Sequence, residues 1–340
     1  EKTKALEAYQ EAGEDPKALE CIPMLKRSDI KREAAKIINE ELTVDDSLFL
    51  YHDVCTNGIG YVDLMFKTDS IAPEQIPYLG LLKSVLGYVD TENYTYGELF
   101  NEINANTGGI NCGVEVFDRA DSTEEFQAMF SVRGKALYTK MDFLFKMIGE
   151  ILNSSKLEDT KRLYEIVASV KSRAQVNLTG AGHSTAVLRA AAYSSPMAAF
   201  QDEMAGIGYY QFIEKLEKDF EQRKEETVEE LCKLMKKILR PENFMISYTG
   251  ERESLETVQK LAGTVKAGLG TEPVEKSKEK LTCTKKNEGF KTSGQVQYVA
   301  QTGNFKKKGL EYTGALEILK VILSYDYLWM NLRVKGGAYV

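Results

Sequence analysis

One pattern occurs twice in this chain, each time in the same order. Gly60-Tyr61-Val62-Asp63-Leu64-Met65-Phe66-Lys67-Thr68 is echoed by Gly294-Gln295-Val296-Gln297-Tyr298-Val299-Ala300-Gln301-Thr302. Leu81-Leu82-Lys83-Ser84-Val85-Leu86-Gly87-Tyr88-Val89-Asp90 is echoed, one residue shorter, by Ile318-Leu319-Lys320-Val321-Ile322-Leu323-Ser324-Tyr325-Asp326, and Gly108-Gly109 by Gly336-Gly337. The leading Gly stands 48 residues before its Gly pair in the first copy and 42 before it in the second. Three echoes in order describe a repeated unit of strand, helix, helix, Gly-Gly, strand, and so two related domains. The fold class that follows is α+β, each domain an antiparallel-rich sheet packed with helices.

The copies differ in what comes after the Gly pair. More than 150 residues separate Gly109 from the second copy, whereas only Ala338, Tyr339 and Val340 follow Gly337. The reading therefore divides the chain into a helical connector over 1–40, a complete domain over 41–268, a Lys-, Glu-, Thr- and Ser-rich linker over 269–290, and an incomplete second domain over 291–340. In the last of these, the helix through Ile318–Leu332 is expected to lack cover and Tyr339 to lack a sheet.

Within 1–40, the apolar residues Leu6, Tyr9, Leu19, Ile30, Ala34, Ile37 and Ile38 mark helical faces broken near Gly13–Pro16 and Pro23. Alternation over Ser47–Thr68 around Asn57-Gly58 predicts two antiparallel strands. Helices are expected over 78–89 and 96–106, strands over 110–117 and 126–133, and helices over 140–152 and 160–178. A capping box, Thr227 with Glu230, opens a helix that closes before Pro241. A strand over 243–250 and a helix over 254–267 follow.

Several functions are excluded by composition. The 340 residues carry a net charge of −7 with 44 Lys and Arg among 51 Asp and Glu, which argues against a nucleic-acid partner. No apolar run reaches the roughly 18 residues of a membrane span and no N-terminal stretch has signal-peptide form, so no membrane is expected. Bacterial cytoplasm fits best, with an organelle matrix as the alternative. Cys21, Cys55, Cys112, Cys232 and Cys283 are scattered and odd in number, as reduced structural thiols are. The sequons at Asn93, Asn153 and Asn177 carry little weight without a secretory signal.

Most chemistry-bearing side chains have a structural explanation. His52 lies on a strand and His183 at the helix start Gly180-Ala181-Gly182-His183, and neither belongs to a zinc motif, so no metal site and no bound cofactor is expected in this chain. A Gly-rich helix start could also hold an anion. Glu225-Glu226 and Glu229-Glu230 read as solvated helix faces, Tyr209-Tyr210-Phe212 as core, and Lys306-Lys307-Lys308 as a turn tip.

Arg333 and Tyr339 are different in kind. A guanidinium fork in the last turn of a helix and a phenol on the strand beyond a Gly reversal can both donate to one oxygen. They can stabilise an oxyanion but cannot create a nucleophile. A surface ion pair and an unrelated strand tyrosine would use the same residues.

The tail Asn331-Leu332-Arg333-Val334-Lys335-Gly336-Gly337-Ala338-Tyr339 resembles the second half of the pitrilysin/insulinase-type metallopeptidases, in the presequence protease branch. The likeness extends through Ile22-Pro23-Met24-Leu25-Lys26-Arg27-Ser28-Asp29-Ile30, Thr56-Asn57-Gly58-Ile59-Gly60-Tyr61-Val62-Asp63-Leu64, Asn106-Thr107-Gly108-Gly109-Ile110 and Gly180-Ala181-Gly182-His183-Ser184, and so covers nearly the whole chain. The resemblance implies two clamshell halves joined by a helical hairpin, each of two related α/β domains, enclosing a chamber for unstructured peptides. It implies zinc in the parent enzyme, bound by an N-terminal catalytic half of the same polypeptide, with Arg333 and Tyr339 reaching the scissile carbonyl from this half.

The inverted His-x-x-Glu-His motif is missing from this chain, so it resembles the hairpin end, the third domain and the start of the fourth, and alone it should hydrolyse nothing. A stand-alone peptide-binding or scaffold protein derived from an inactive peptidase half is the alternative.

Overall fold

The chain first reverses at Asp45-Asp46 and again at Asn57-Gly58, both times through left-handed backbone. φ is 47° and 63° at the two aspartates and 54° and 81° at Asn57 and Gly58. Asp, Asn and Gly reach that region at low cost, and two such residues in succession form the tight turn that matches the twist of paired strands. The first reversal joins β1 (Glu40–Val44) to β2 (Ser47–Asp53) as a hairpin, and the second leads into β3 (Ile59–Lys67). β1 is unassigned in the sequence reading because Glu40-Glu41-Leu42-Thr43-Val44 is polar at its start, as suits an edge strand.

The computed structural model describes residues 2–13, 16–275, 277, 279, 281–292 and 294–338. Residues 2–38 form a unit of their own, with α1 (Lys2–Glu11), α2 (Pro16–Leu19) and a 3-10 turn at Arg27–Asp29. The helical faces expected at Ile30, Ala34, Ile37 and Ile38 do not form, and Ile30 and Ile37 are exposed. Within this unit no apolar surface packs on them, and short helices without packing are marginal in water.

The second unit is built on one mixed sheet. β4 (Ile110–Asp118), β5 (Phe126–Leu137) and β6 (Phe244–Gly250) complete it in the order β1-β2-β6-β3-β5-β4. β2 and β3 are antiparallel in direction but do not pair with one another, contrary to the hairpin reading. β6 lies between them, parallel to β2 and antiparallel to β3. The connection over residues 54–58 therefore spans a strand's width in addition to turning.

One face of the sheet is covered by helices. These are α3 (Ile76–Val85), α4 (Tyr96–Asn106), α5 (Met141–Ser154), α6 (Thr160–Gly180), α7 (Gly182–Ala192), α8 (Pro196–Ala205), α9 (Ile207–Lys218), α10 (Phe220–Ile238) and α11 (Leu255–Ala267). Alternate residues of the central strands, Val62, Leu64 and Phe66 on β3 and Ile246 and Tyr248 on β6, meet Leu79, Leu82, Leu144 and Ile148 in one core. Nearly every residue of α3 is buried, as befits a helix that is apolar all round. Thr227 does not cap a helix. It is fully buried in mid-α10, where its hydroxyl donates to the Arg223 carbonyl at 2.8 Å, so a buried back-bond, and not a helix start, accounts for that threonine.

The second copy of the repeat takes a different form. Residues 294–302 form no strand, since none of the six strands pairs with them, and alternation alone does not stabilise an unpaired strand. The helix expected through Ile318–Leu332 does form, as one continuous run in which α12 (Ala315–Ile322) passes into a π-helical stretch at Leu323–Lys335. The Gly pairs do agree: the second Gly of each has positive φ, 104° at Gly109 and 70° at Gly337.

Residues 269–292 contain no helix or strand among those described, yet they are tied down. Leu281 packs against the core, the Ser277 N–H donates to the Ser70 carbonyl at 3.1 Å, and Glu288 accepts from Arg189 at 2.7 Å and from the Tyr193 hydroxyl at 2.5 Å.

Gly80 shows how tightly the helical layer is packed. A Cβ at this position would lie 2.5 Å from the Met204 carbonyl oxygen of α8 and 2.7 Å from the Tyr209 ring. Helix propensity favours Gly80→Ala by about 1 kcal/mol, but forcing a methyl into a filled backbone contact costs about 1–3 kcal/mol. The clash is expected to win, so urea denaturation of Gly80→Ala should show net destabilisation; a midpoint at or above that of the parent chain would refute this packing.

Candidate functional site

The alternation that sends one set of strand residues into the core sends the other set to an open face. On it lie His52 of β2, Ser247 and Thr249 of β6, Tyr61 and Asp63 of β3, Ser131, Arg133 and Lys135 of β5, and Asn111 and Glu115 of β4. Strand register places Asp63 opposite both Arg133 and Ser247, and Asn111 opposite Arg133.

Arg133 links three strands. Its Nε donates to Asp63 Oδ2 at 2.7 Å and its Nη1 pairs with Glu115 Oε1 at 3.1 Å. The guanidinium is about half exposed, so each pair is worth at most about 1 kcal/mol and serves mainly to orient the head group. Burial pushes the Asp63 carboxyl above its usual range against the pull of Arg133. Its second oxygen, Oδ1, is buried without a hydrogen-bond partner, as is the Ser131 hydroxyl. On the neighbouring strands, His52 Nε2 meets the Ser247 hydroxyl at 3.2 Å.

A cavity of about 250 Å³ opens over this patch, lined among others by Tyr61, Asp63, Asn111, Arg133, Lys135 and Ser247. Such a surface offers hydrogen-bond donors and acceptors to a polar chain laid across the sheet. Among the described residues, no three His, Cys, Asp or Glu side chains converge to hold a metal ion, so zinc has no ligand set there.

At the end of β6, the Glu251 carboxylate organises the reversal into β3. It accepts from the Thr56 and Asn57 N–H groups at 3.0 and 3.2 Å, from the Thr56 hydroxyl at 3.2 Å and from the Tyr138 hydroxyl. Those donors, Tyr138 first, hold its pKa down at about 2.

Arg333 stands in the last turn of the helical run, its guanidinium 5.9 Å from the Trp329 ring centroid. Tyr339 lies outside the described residues. The side chains with structural explanations behave as follows: Tyr209 is buried, Phe212 packs edge-on against Tyr78 at 4.8 Å, and Glu229 and Glu230 pair with Lys233 at 2.8 and 3.0 Å on the α10 surface. The Lys306–Lys308 turn is more than a tip, because Lys306 donates to the Ala120 carbonyl at 2.8 Å and Lys307 to the Ser194 carbonyl at 2.7 Å. Sequence reasoning missed the Asp63-Arg133-Glu115 triad. Its only trace in the sequence is a charged residue at the outward position of each strand.

Residues 1–216 match the family described as peptidase M-16C associated. Protein HypA of Clostridium perfringens is 38% identical over 336 residues, which are 99% of this chain and 34% of that protein. Presequence protease 1, chloroplastic/mitochondrial, of Arabidopsis thaliana is 28% identical over 341 residues, 99% of this chain and 31% of its own. The mitochondrial presequence protease of Yarrowia lipolytica is 28% identical over 334 residues, 96% and 33%. The chain thus spans about a third of the length of these relatives.

The Glu251 cluster sets an acid limit. A carboxylate depressed in the fold from its unfolded value of about 4.3 stabilises fully above that value, and the contribution is lost as pH falls toward about 2. Denaturant midpoints measured from pH 5 down to pH 2.5 should fall less steeply for Glu251→Gln than for the parent chain; parallel slopes would disprove the assignment.

Proposed function

The chain belongs to the peptidase M-16C associated family, and on that premise we propose that it is the non-catalytic, substrate-facing half of a zinc metalloendopeptidase that degrades unstructured peptides. The family match over residues 1–216, in a chain a third as long as its presequence protease relatives, carries this reading. The open sheet face supports it, since it presents hydrogen-bonding groups from five strands to one surface. The partners that follow are peptide substrates and an N-terminal catalytic half of the same polypeptide. That half would hold the zinc, and the compartment would be the bacterial cytoplasm or an organelle matrix.

In this reading Arg333 and Tyr339 act on the scissile carbonyl. The guanidinium is always charged and the phenol is a neutral donor, so both interactions strengthen as negative charge develops on the oxygen. Neither group can supply a nucleophile. Water exclusion follows if the halves close over the peptide, and folded proteins too large for the chamber would be refused.

Two measurements test the proposal. The 340-residue chain incubated with zinc and an unstructured peptide should give no cleavage by mass spectrometry, and turnover by the chain alone would overturn the half-enzyme reading. In the full-length enzyme, Arg333→Ala and Tyr339→Phe should each lower kcat roughly 100- to 1,000-fold, the cost of losing one oxyanion donor. Parent-like kcat in both variants would remove them from the site.

A further inference from the structure

We propose that the helical layer contains a binding site for a small multivalent oxyanion, in the cleft bounded by α3, α6, α7 and α9. Two cavities adjoin there, of about 340 and 430 Å³, and share Lys83, Ser84 and Arg173 in their linings. No Asp or Glu lines either one. This is unusual in a chain with more acidic than basic residues.

The cations stand without counter-charges. Among the described residues no carboxylate lies within ion-pairing distance of Lys83 or Arg173, whereas Arg133, Arg189, Arg223 and Arg240 all have acid partners. Lys83 is partly buried and desolvation lowers its pKa; Glu115 opposes that through space but is itself engaged by Arg133. Arg173 is exposed at the cleft. An isolated cation gains little from partial burial, and an anion beside it would offset the desolvation.

Two further features aim at the same space. α7 starts at Gly182 with no side-chain cap, and Ala181, Ser184 and Thr185 of that helix start line the larger cavity. Uncapped first-turn N–H groups carry partial positive charge and are natural oxyanion donors. Independently, Tyr209 lines the same cavity and is 5% exposed, and its buried hydroxyl, with the Ser84 hydroxyl and the Arg173 charge beside it, makes no hydrogen bond of normal geometry. Nearby Ser84 directs its own hydroxyl to the Gly80 carbonyl at 3.4 Å. A buried hydroxyl whose hydrogen-bonding capacity is not met in good geometry is open to a further acceptor. Two full positive charges, a helix start and a phenol donor together suit a polyanionic group, either a phosphate or a polycarboxylate.

The site is testable without activity. Thermal unfolding of the 340-residue chain should be followed with increasing inorganic phosphate, and separately citrate, against sodium chloride at matched ionic strength. A saturable rise in Tm beyond the chloride control is expected with at least one of them. Phosphate alone would assign a phosphate-type ligand, citrate alone a polycarboxylate, and both the shared oxyanion chemistry. Arg173→Gln and Tyr209→Phe should each raise the apparent Kd by roughly tenfold, the scale of one hydrogen bond to a charged group. Tyr209→Phe removes a hydroxyl that makes no hydrogen bond of normal geometry and leaves the ring in place, so it should fold normally in chloride and keeps the test valid if Arg173→Gln is unstable. Absence of a saturable shift with both anions, or an unchanged Kd in Tyr209→Phe, would overturn the proposal.

Discussion

Everything in the larger unit depends on β6 pairing between β2 and β3. Tyr51 of β2 donates to the Gly250 carbonyl across 199 residues of chain at 3.0 Å, and its ring stacks on Tyr248 with centroids 6.1 Å apart. On the other flank Phe66 packs against Phe244 at 5.2 Å. Without this strand, β1 and β2 would be a separate hairpin, and the core-facing rings Phe49, Tyr51 and Phe66 would lose the aromatic neighbours that bury them. Helices α3 to α10 all lie between β3 and β6 in the chain, so pairing these two strands closes a loop that contains most of the helical layer. Such non-local pairing carries a loop-closure cost that the buried aromatic contacts must offset.

The same strand order gives the sheet its two characters. Helices take one face, and the other keeps the polar half of the alternation, as is common where antiparallel pairing dominates. Arg133 can reach acids on both neighbours because β5 sits between β3 and β4. Glu251, just past the end of β6, pins the loop that must cross from β2 to β3. The sheet's open surface and the turn beside it are thus consequences of one topological choice.

Beyond α11 the chain follows other rules. Its contacts to the preceding elements include the Ser277 N–H on the Ser70 carbonyl, Leu281 against the core, Glu288 on Arg189 and Tyr193, Lys306 and Lys307 on backbone carbonyls, and Tyr298, whose ring closes on Gly182 so tightly that a Cβ there would lie 2.3 Å away. The helical run from Ala315 to Lys335 buries none of its residues. An apolar helix of this kind has sequence periodicity without the packing that normally gives periodicity its meaning.

What could be read from the sequence was local. The 3.6-residue and two-residue periods located α4, α5, α6, α11, β4, β5 and β6 to within a few residues, because which face is apolar is written into neighbouring positions. The two Gly pairs marked corresponding places in the repeat, each with positive φ at its second residue, Gly109 and Gly337, and the ordered motifs of Asn57-Gly58, Gly108-Gly109 and the Arg333 tail carried the family resemblance. Tertiary structure alone decided what depends on distance in space: the insertion of β6 between β2 and β3, the burial that turned Thr227 from a cap into a core residue, and the failure of 294–302 to become a strand. It also brought Asp63, Arg133 and Glu115 together, and gathered Lys83, Arg173 and Tyr209 from three helices around one cleft. A hydrogen bond or an ion pair needs its partner within a few ångströms, and no period in a sequence specifies which distant segment will supply it.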